Sequence, residues 1–130
     1  MFTLEDIQAA HAKVKSGADF PSYVQDLIGL GVKRYDVYVH DGHSEYSGMD
    51  DFIRTSEPKY DLLTVAPDSN PAQFGEHLQT HQRGETDYFQ FSQDAANAGV
   101  EKWTVDTDAM TCTYYDTAGK VMLEEEIPKI

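Results

Sequence analysis

The sequence predicts an α+β domain assembled from two α-α-β-β-β units, with antiparallel strands and helices packed on the sheet. Three observations predict it. The hydrophobic period switches from helical to alternating twice along the chain, capping residues precede the helical stretches, and the second half restates the first.

Thr3 opens the first helix as an N-cap, with Asp6 three residues on to complete a short capping box. Leu4, Ile7, His11 and Val14 then recur at helical spacing, and Ser16-Gly17 is expected to end the helix. Asp19 is placed to cap the second helix, with Pro21 tolerated in its first turn and Gly31 as its C′ residue. From Val32 the period becomes two, and Tyr35, Val37 and Val39 alternate with Arg34, Asp36 and Tyr38. Asp41-Gly42 predicts a two-residue type I′ hairpin turn. The stretch from Gly48 to Tyr60 reads as irregular, and Leu62 to Val65 as strand. The pattern then restarts. Asn70 and Pro71 begin a helix carrying Phe74, His77, Leu78 and His81 on one face. Asp87 caps the next, and Gly99 ends it. Strands are expected over 100–106, 111–116 and 121–127.

The repeat is the most informative feature. Tyr23-Val24-Gln25-Asp26 aligns with Phe91-Ser92-Gln93-Asp94, and Gly31-Val32 with Gly99-Val100, at a constant shift of 91 − 23 = 68 residues. The same shift pairs Tyr35 with Trp103, Val37 with Val105 and Tyr46 with Tyr114. A two-residue adjustment pairs His11 with His81. Neither unit, about 3–66 or 70–127, can bury its apolar faces alone, so the expectation is one domain over 1–130. Matched positions are candidates for structure, and positions unique to one copy are candidates for function.

The bulk composition narrows the function classes. The chain has 130 residues, 23 acidic against 10 basic, and a formal net charge of −13. That field repels phosphate backbones and anionic membranes, so neither nucleic acid nor membrane is an expected partner. It serves solubility, or it forms a docking surface for a basic protein. The single cysteine, Cys112, excludes an internal disulfide and fits a reducing compartment. With neither a signal peptide nor a membrane span legible, the expected location is the cytoplasm.

The segments FPSYVQDLIGLGV, DGHSEY, HQRGETDYFQF, AGVEKWTVD and MTCTYYDTAGK resemble the YdfO-like proteins of enterobacterial genomes and their prophages. The resemblance covers essentially the whole chain. It implies an α-α-β-β-β unit used twice and a prophage or horizontally acquired setting. Some members carry the label "phage envelope protein". The resemblance supplies no catalytic residues.

Candidate sites are few. His40 and His43 flank the expected Asp41-Gly42 turn, where a cross-strand pair would stand roughly 5 Å apart at Cβ. That is either the start of a zinc or nickel site, with Asp41 close by, or two solvated histidines at a hairpin tip. His77 and His81 share a helical face at ligand spacing, but no glutamate lies between them as general base, and Phe74 and Leu78 on the same stripe favour packing. Cys112 shows no activating base and reads as a small half-buried residue. Glu124, Glu125 and Glu126, with Asp50-Asp51, form either an acidic docking face or a charged edge strand that resists aggregation. No Gly-rich phosphate loop, Gly-x-Ser-x-Gly elbow or Cys-x-x-Cys pair occurs. The leading expectation is a small acidic interaction or regulatory protein without catalysis. The alternative is a protein that binds a divalent metal or a small molecule through the His40/His43 hairpin.

Overall fold

A computed structural model describes residues 2–14 and 19–128. The order of elements is helix, helix and three strands, used twice: α1 (Leu4–His11), α2 (Phe20–Leu30), β1 (Arg34–Tyr38), β2 (Ser44–Ser47), β3 (Ile53–Thr55), α3 (Pro71–Gln82), α4 (Tyr88–Asn97), β4 (Val100–Asp106), β5 (Thr111–Asp116) and β6 (Val121–Glu126). The strands form one six-stranded sheet, β3-β2-β1-β4-β5-β6, and every pairing is antiparallel. Each unit thus contributes a three-stranded half, and β1 joins β4 at the centre. No helix among the described residues is long and apolar enough to cross a membrane.

Three of the four caps form as their chemistry dictates. Thr3 and Asp6 exchange hydrogen bonds in a capping box, Asn70 accepts from the Gln73 N–H, and Asp87 accepts from the Gln90 N–H. Asp19 occupies the N-cap of α2, but its side chain makes no capping hydrogen bond. Helix α1 stops at His11, earlier than expected, and Ser16-Gly17 lies outside the described residues.

The two hairpins share a register. Tyr35 faces Tyr46 and Val37 faces Ser44 in the first; Trp103 faces Tyr114 and Val105 faces Cys112 in the second. At the centre, Asp36 and Thr104, themselves 68 residues apart, pair across β1 and β4, and the Thr104 hydroxyl donates to the Asp36 carboxylate. One face of the sheet therefore carries Tyr35, Val37, Tyr46, Trp103, Val105, Cys112 and Tyr114, all buried. The helices pack there, and Val24, Leu27, Phe74 and Ala95 reach it with no exposed surface. The opposite face is polar, with Lys102 lying over the rings of Tyr38 and Tyr115.

Two expectations are corrected. Leu62 to Val65 forms no strand; the third strand of the first unit is Ile53–Thr55, paired with β2. Leu62 is 77 % exposed, while Leu63 packs partly against the core, so this apolar run crosses the surface instead of joining the sheet. The β1–β2 turn is also not a two-residue type I′ turn. Tyr38 pairs with His43 through the His43 carbonyl, leaving Val39 to Gly42 as a four-residue loop. Asp41 does not adopt the positive φ that a type I′ turn requires of both central residues, and Gly42 alone does. Instead the Asp41 carboxylate accepts the His43 N–H at 2.9 Å, an Asx-type closure.

Candidate functional site

The helix pairs do not fill the space above the sheet completely. A cavity of about 550 Å³ lies between them, within the size range of small-molecule sites. Its sheet-side lining includes Tyr35, Tyr46, Trp103 and Tyr114; Tyr23 comes from α2 and Tyr88 and Phe91 from α4. Two histidines aligned in the sequence, His11 and His81, both line it. His11 packs edge-on against Tyr23 at 5.3 Å, and its counterpart His81 stacks on Phe91 at 4.4 Å.

Polar groups converge on this aromatic space. Tyr46 lies close enough to Tyr23 to influence its phenol, and its ring packs 5.3 Å from that of Tyr35. Tyr35, only 4 % exposed, stands among Tyr23, Tyr46, Tyr88 and Cys112. Neither the Tyr35 hydroxyl nor the Trp103 indole N–H has a hydrogen-bond partner among the described residues. Both side chains line the cavity. Buried phenol and indole donors ordinarily find an acceptor.

Burial sets the protonation states. It pushes the phenols of Tyr23, Tyr35, Tyr88 and Tyr114 above their ordinary range, so all four remain donors at neutral pH. Burial, with the Lys59 charge adding to it, holds His11 below its usual value. Burial also lowers His81, against an opposing hydrogen bond to the Thr86 backbone. The His81 Nδ1–H donates to the Thr86 carbonyl at 3.1 Å, which leaves Nε2 as an acceptor. Lys59 lines the rim with its ammonium 5.4 Å from the Tyr88 ring, and desolvation lowers its pKa. The Cys112 thiol is pushed up to about 12, chiefly by burial, so it is no nucleophile at neutral pH.

The residues singled out from sequence fall elsewhere or at the margin. His40, Asp41 and His43 come together at the β1–β2 tip, with one ligand atom from each inside 4.8 Å of the others. His43 Nδ1 lies 2.5 Å from Asp41 Oδ1, and His40 Nε2 lies 3.5 Å from Asp41 Oδ2. His40 and His43 are not directly opposed as expected, because the longer loop separates them, but their ring centroids stand 5.6 Å apart. His77 pairs with Asp94 at 3.5 Å while His81 turns to Thr86, so this pair is not gathered into a ligand set among the described residues. On β6, Glu124 accepts from the Thr113 hydroxyl and Glu125 from the Gln82 amide, and Glu125 and Glu126 border the cavity.

Sequence reasoning did not find the cavity. Its signal was present in the matched aromatics and in the His11/His81 pair, which were read as candidates for structure alone. Among curated proteins, none matches the chain significantly. A profile of proteins of unknown function (DUF1398) matches residues 8–126, nearly the whole chain, and the protein belongs to that family.

Proposed function

We propose that the protein binds a small planar organic molecule, aromatic or conjugated and bearing hydrogen-bond acceptors, in the cavity between helices and sheet. One observation carries the reading: Tyr35 and Trp103, both buried and with no side-chain hydrogen bond among the described residues, line an aromatic cavity of about 550 Å³. Aromatic walls favour a flat apolar body, and the two donors favour a carbonyl or carboxylate on it. Trp103 is the only tryptophan, so its fluorescence reports occupancy directly. The test is titration with 1-anilinonaphthalene-8-sulfonate, an aromatic acid. Saturable binding at one equivalent with quenching of Trp103 is expected. Val37→Phe, which adds a ring to the cavity lining, should weaken it roughly tenfold or more, the effect of about 1.4 kcal/mol. Binding that is unsaturable, or indifferent to Val37→Phe in a variant that still unfolds cooperatively, rules the reading out.

A second reading rests on charge. The net charge of −13, with Glu124 and Glu126 exposed on an edge strand, supports docking onto a basic protein partner. The resemblance to YdfO-like proteins supports a prophage or horizontally acquired setting, and the single cysteine supports a cytoplasmic one. A complex held by such charges should dissociate between about 50 and 500 mM salt, as the screening length shrinks several-fold. Replacing Glu124, Glu125 and Glu126 together with glutamine should flatten that salt dependence. A partner retained equally at both salt concentrations, or by the triple variant, removes this face from the reading.

A further inference from the structure

The β1–β2 tip is held firmly from one side. The Asp41 carbonyl accepts the N–H groups of Lys59 and Tyr60 at 2.8 and 3.4 Å, and the His40 carbonyl accepts that of Leu63 at 2.7 Å. The Tyr60 hydroxyl donates to the Val39 carbonyl at 2.6 Å. Its ring also covers Gly42 so closely that a Cβ there would fall 2.6 Å from Tyr60 Cε2. The backbone that carries the three side chains is therefore fixed before any ligand arrives.

The side chains themselves point to a cation. The Asp41 carboxylate stands between two imidazoles, one on each oxygen, and its side chain is only 14 % exposed. On a tetrahedral zinc ion, with bonds of about 2.0–2.2 Å, neighbouring ligand atoms stand roughly 3.3 Å apart. His40 Nε2 and Asp41 Oδ2 are already 3.5 Å apart. His43 Nδ1 lies 2.5 Å from the other oxygen, Asp41 Oδ1, and one ligand atom from each of the three residues lies within 4.8 Å of the others, so closing on a cation takes side-chain shifts of about 1–2 Å. Both rings are partly exposed, at 42 % and 24 %, so a cation has access and water can complete the coordination.

The fold itself does not need this cluster. The matching loop of the second hairpin, Thr107 to Met110, contains no histidine. It is secured instead by the Thr107 hydroxyl, which donates to the Val32 and Lys33 carbonyls. Two imidazoles and one carboxylate suit a borderline divalent ion better than calcium or magnesium, which prefer all-oxygen sites. We propose that His40, Asp41 and His43 bind one divalent transition cation, of the zinc and nickel class, at the β1–β2 tip. This site is separate from the cavity and stands or falls independently of it.

The test uses untagged full-length protein, titrated calorimetrically with zinc and followed by absorption with cobalt(II), whose visible bands become intense in tetrahedral coordination. One equivalent should bind, with the tetrahedral cobalt spectrum. His40→Ala and His43→Ala should each weaken zinc roughly tenfold or more, while His77→Ala, which removes a histidine paired with Asp94, should leave binding unchanged. Far-UV circular dichroism and urea midpoints confirm that the variants are folded. The proposal is overturned by no binding at about 100 μM zinc, by binding that survives both tip substitutions, or by an equal loss in His77→Ala.

Discussion

Replacing Trp103 with alanine should cost ~3–5 kcal/mol of stability, the usual cost of emptying a large aromatic site. Trp103 sits on β4, opposite Val37 on one side and Tyr114 on the other, and is 7 % exposed. Its ring meets Phe91 at 5.6 Å and Tyr114 at 5.9 Å, so it ties α4 to the middle of the sheet. The substitution would also enlarge the cavity that Trp103 lines. Urea unfolding followed by far-UV circular dichroism measures the loss, since the variant retains no tryptophan signal. A decrease below ~1 kcal/mol would show that this side chain does not anchor α4 on the sheet. Trp103→Phe separates packing from recognition. It should cost less than the alanine variant, yet it removes the indole N–H of a residue that lines the cavity. Weaker ligand binding with near-normal stability is the expected pattern.

Much of this fold was legible because local chemistry and long-range pattern agree. Thr3, Asn70 and Asp87 are capping residues by type, and each accepts the hydrogen bond its position predicts. The alternation of Tyr35 and Val37 with Asp36 and Tyr38 identified which side chains share the helix-covered face. The failures have equally local causes. Leu62 to Val65 is apolar enough for a strand, but its backbone bonds go elsewhere, as where the Leu63 N–H meets the His40 carbonyl. The Asp41-Gly42 pair suggested a tight turn, but the Asp41 side chain closes a longer loop by accepting the His43 N–H. The cavity was invisible for a deeper reason. A period of two says which face Tyr35 and Trp103 occupy, but not whether the space above that face is filled. Matched positions were assigned to structure, whereas the matched aromatics both build the core and line the cavity. The proximity of His40 and His43 was legible from their spacing, though the loop brings them together by a route the sequence did not suggest.

Gly99→Ala should be costly, and the matched change Gly31→Ala shows why. Both glycines end the second helix of their unit in the left-handed region, at φ 91° and 95°. A Cβ in that region costs roughly 1–2 kcal/mol at either position. Gly31 adds nothing further, since no atom would lie within 4 Å of its new Cβ. Gly99 is different. Its Cβ would fall 2.6 Å from the Asp68 carbonyl oxygen and 2.9 Å from the Ser69 Cα, both backbone atoms. That backbone cannot swing aside cheaply, because the Ala66 N–H is bonded to the Ala96 carbonyl and the Asn70 N–H to the Ala98 carbonyl. Asn70 also caps α3, so pushing the segment away would disturb the start of that helix. Overpacking of this kind adds about 1–3 kcal/mol, so Gly99→Ala should lose about 3 kcal/mol or more while Gly31→Ala loses about half of that. Urea unfolding of the two variants side by side tests the contrast. Equal losses would mean that the 66–70 segment yields freely and that only the backbone conformation matters at Gly99. A larger loss at Gly99 would show that the connection between the two units packs tightly against the end of α4.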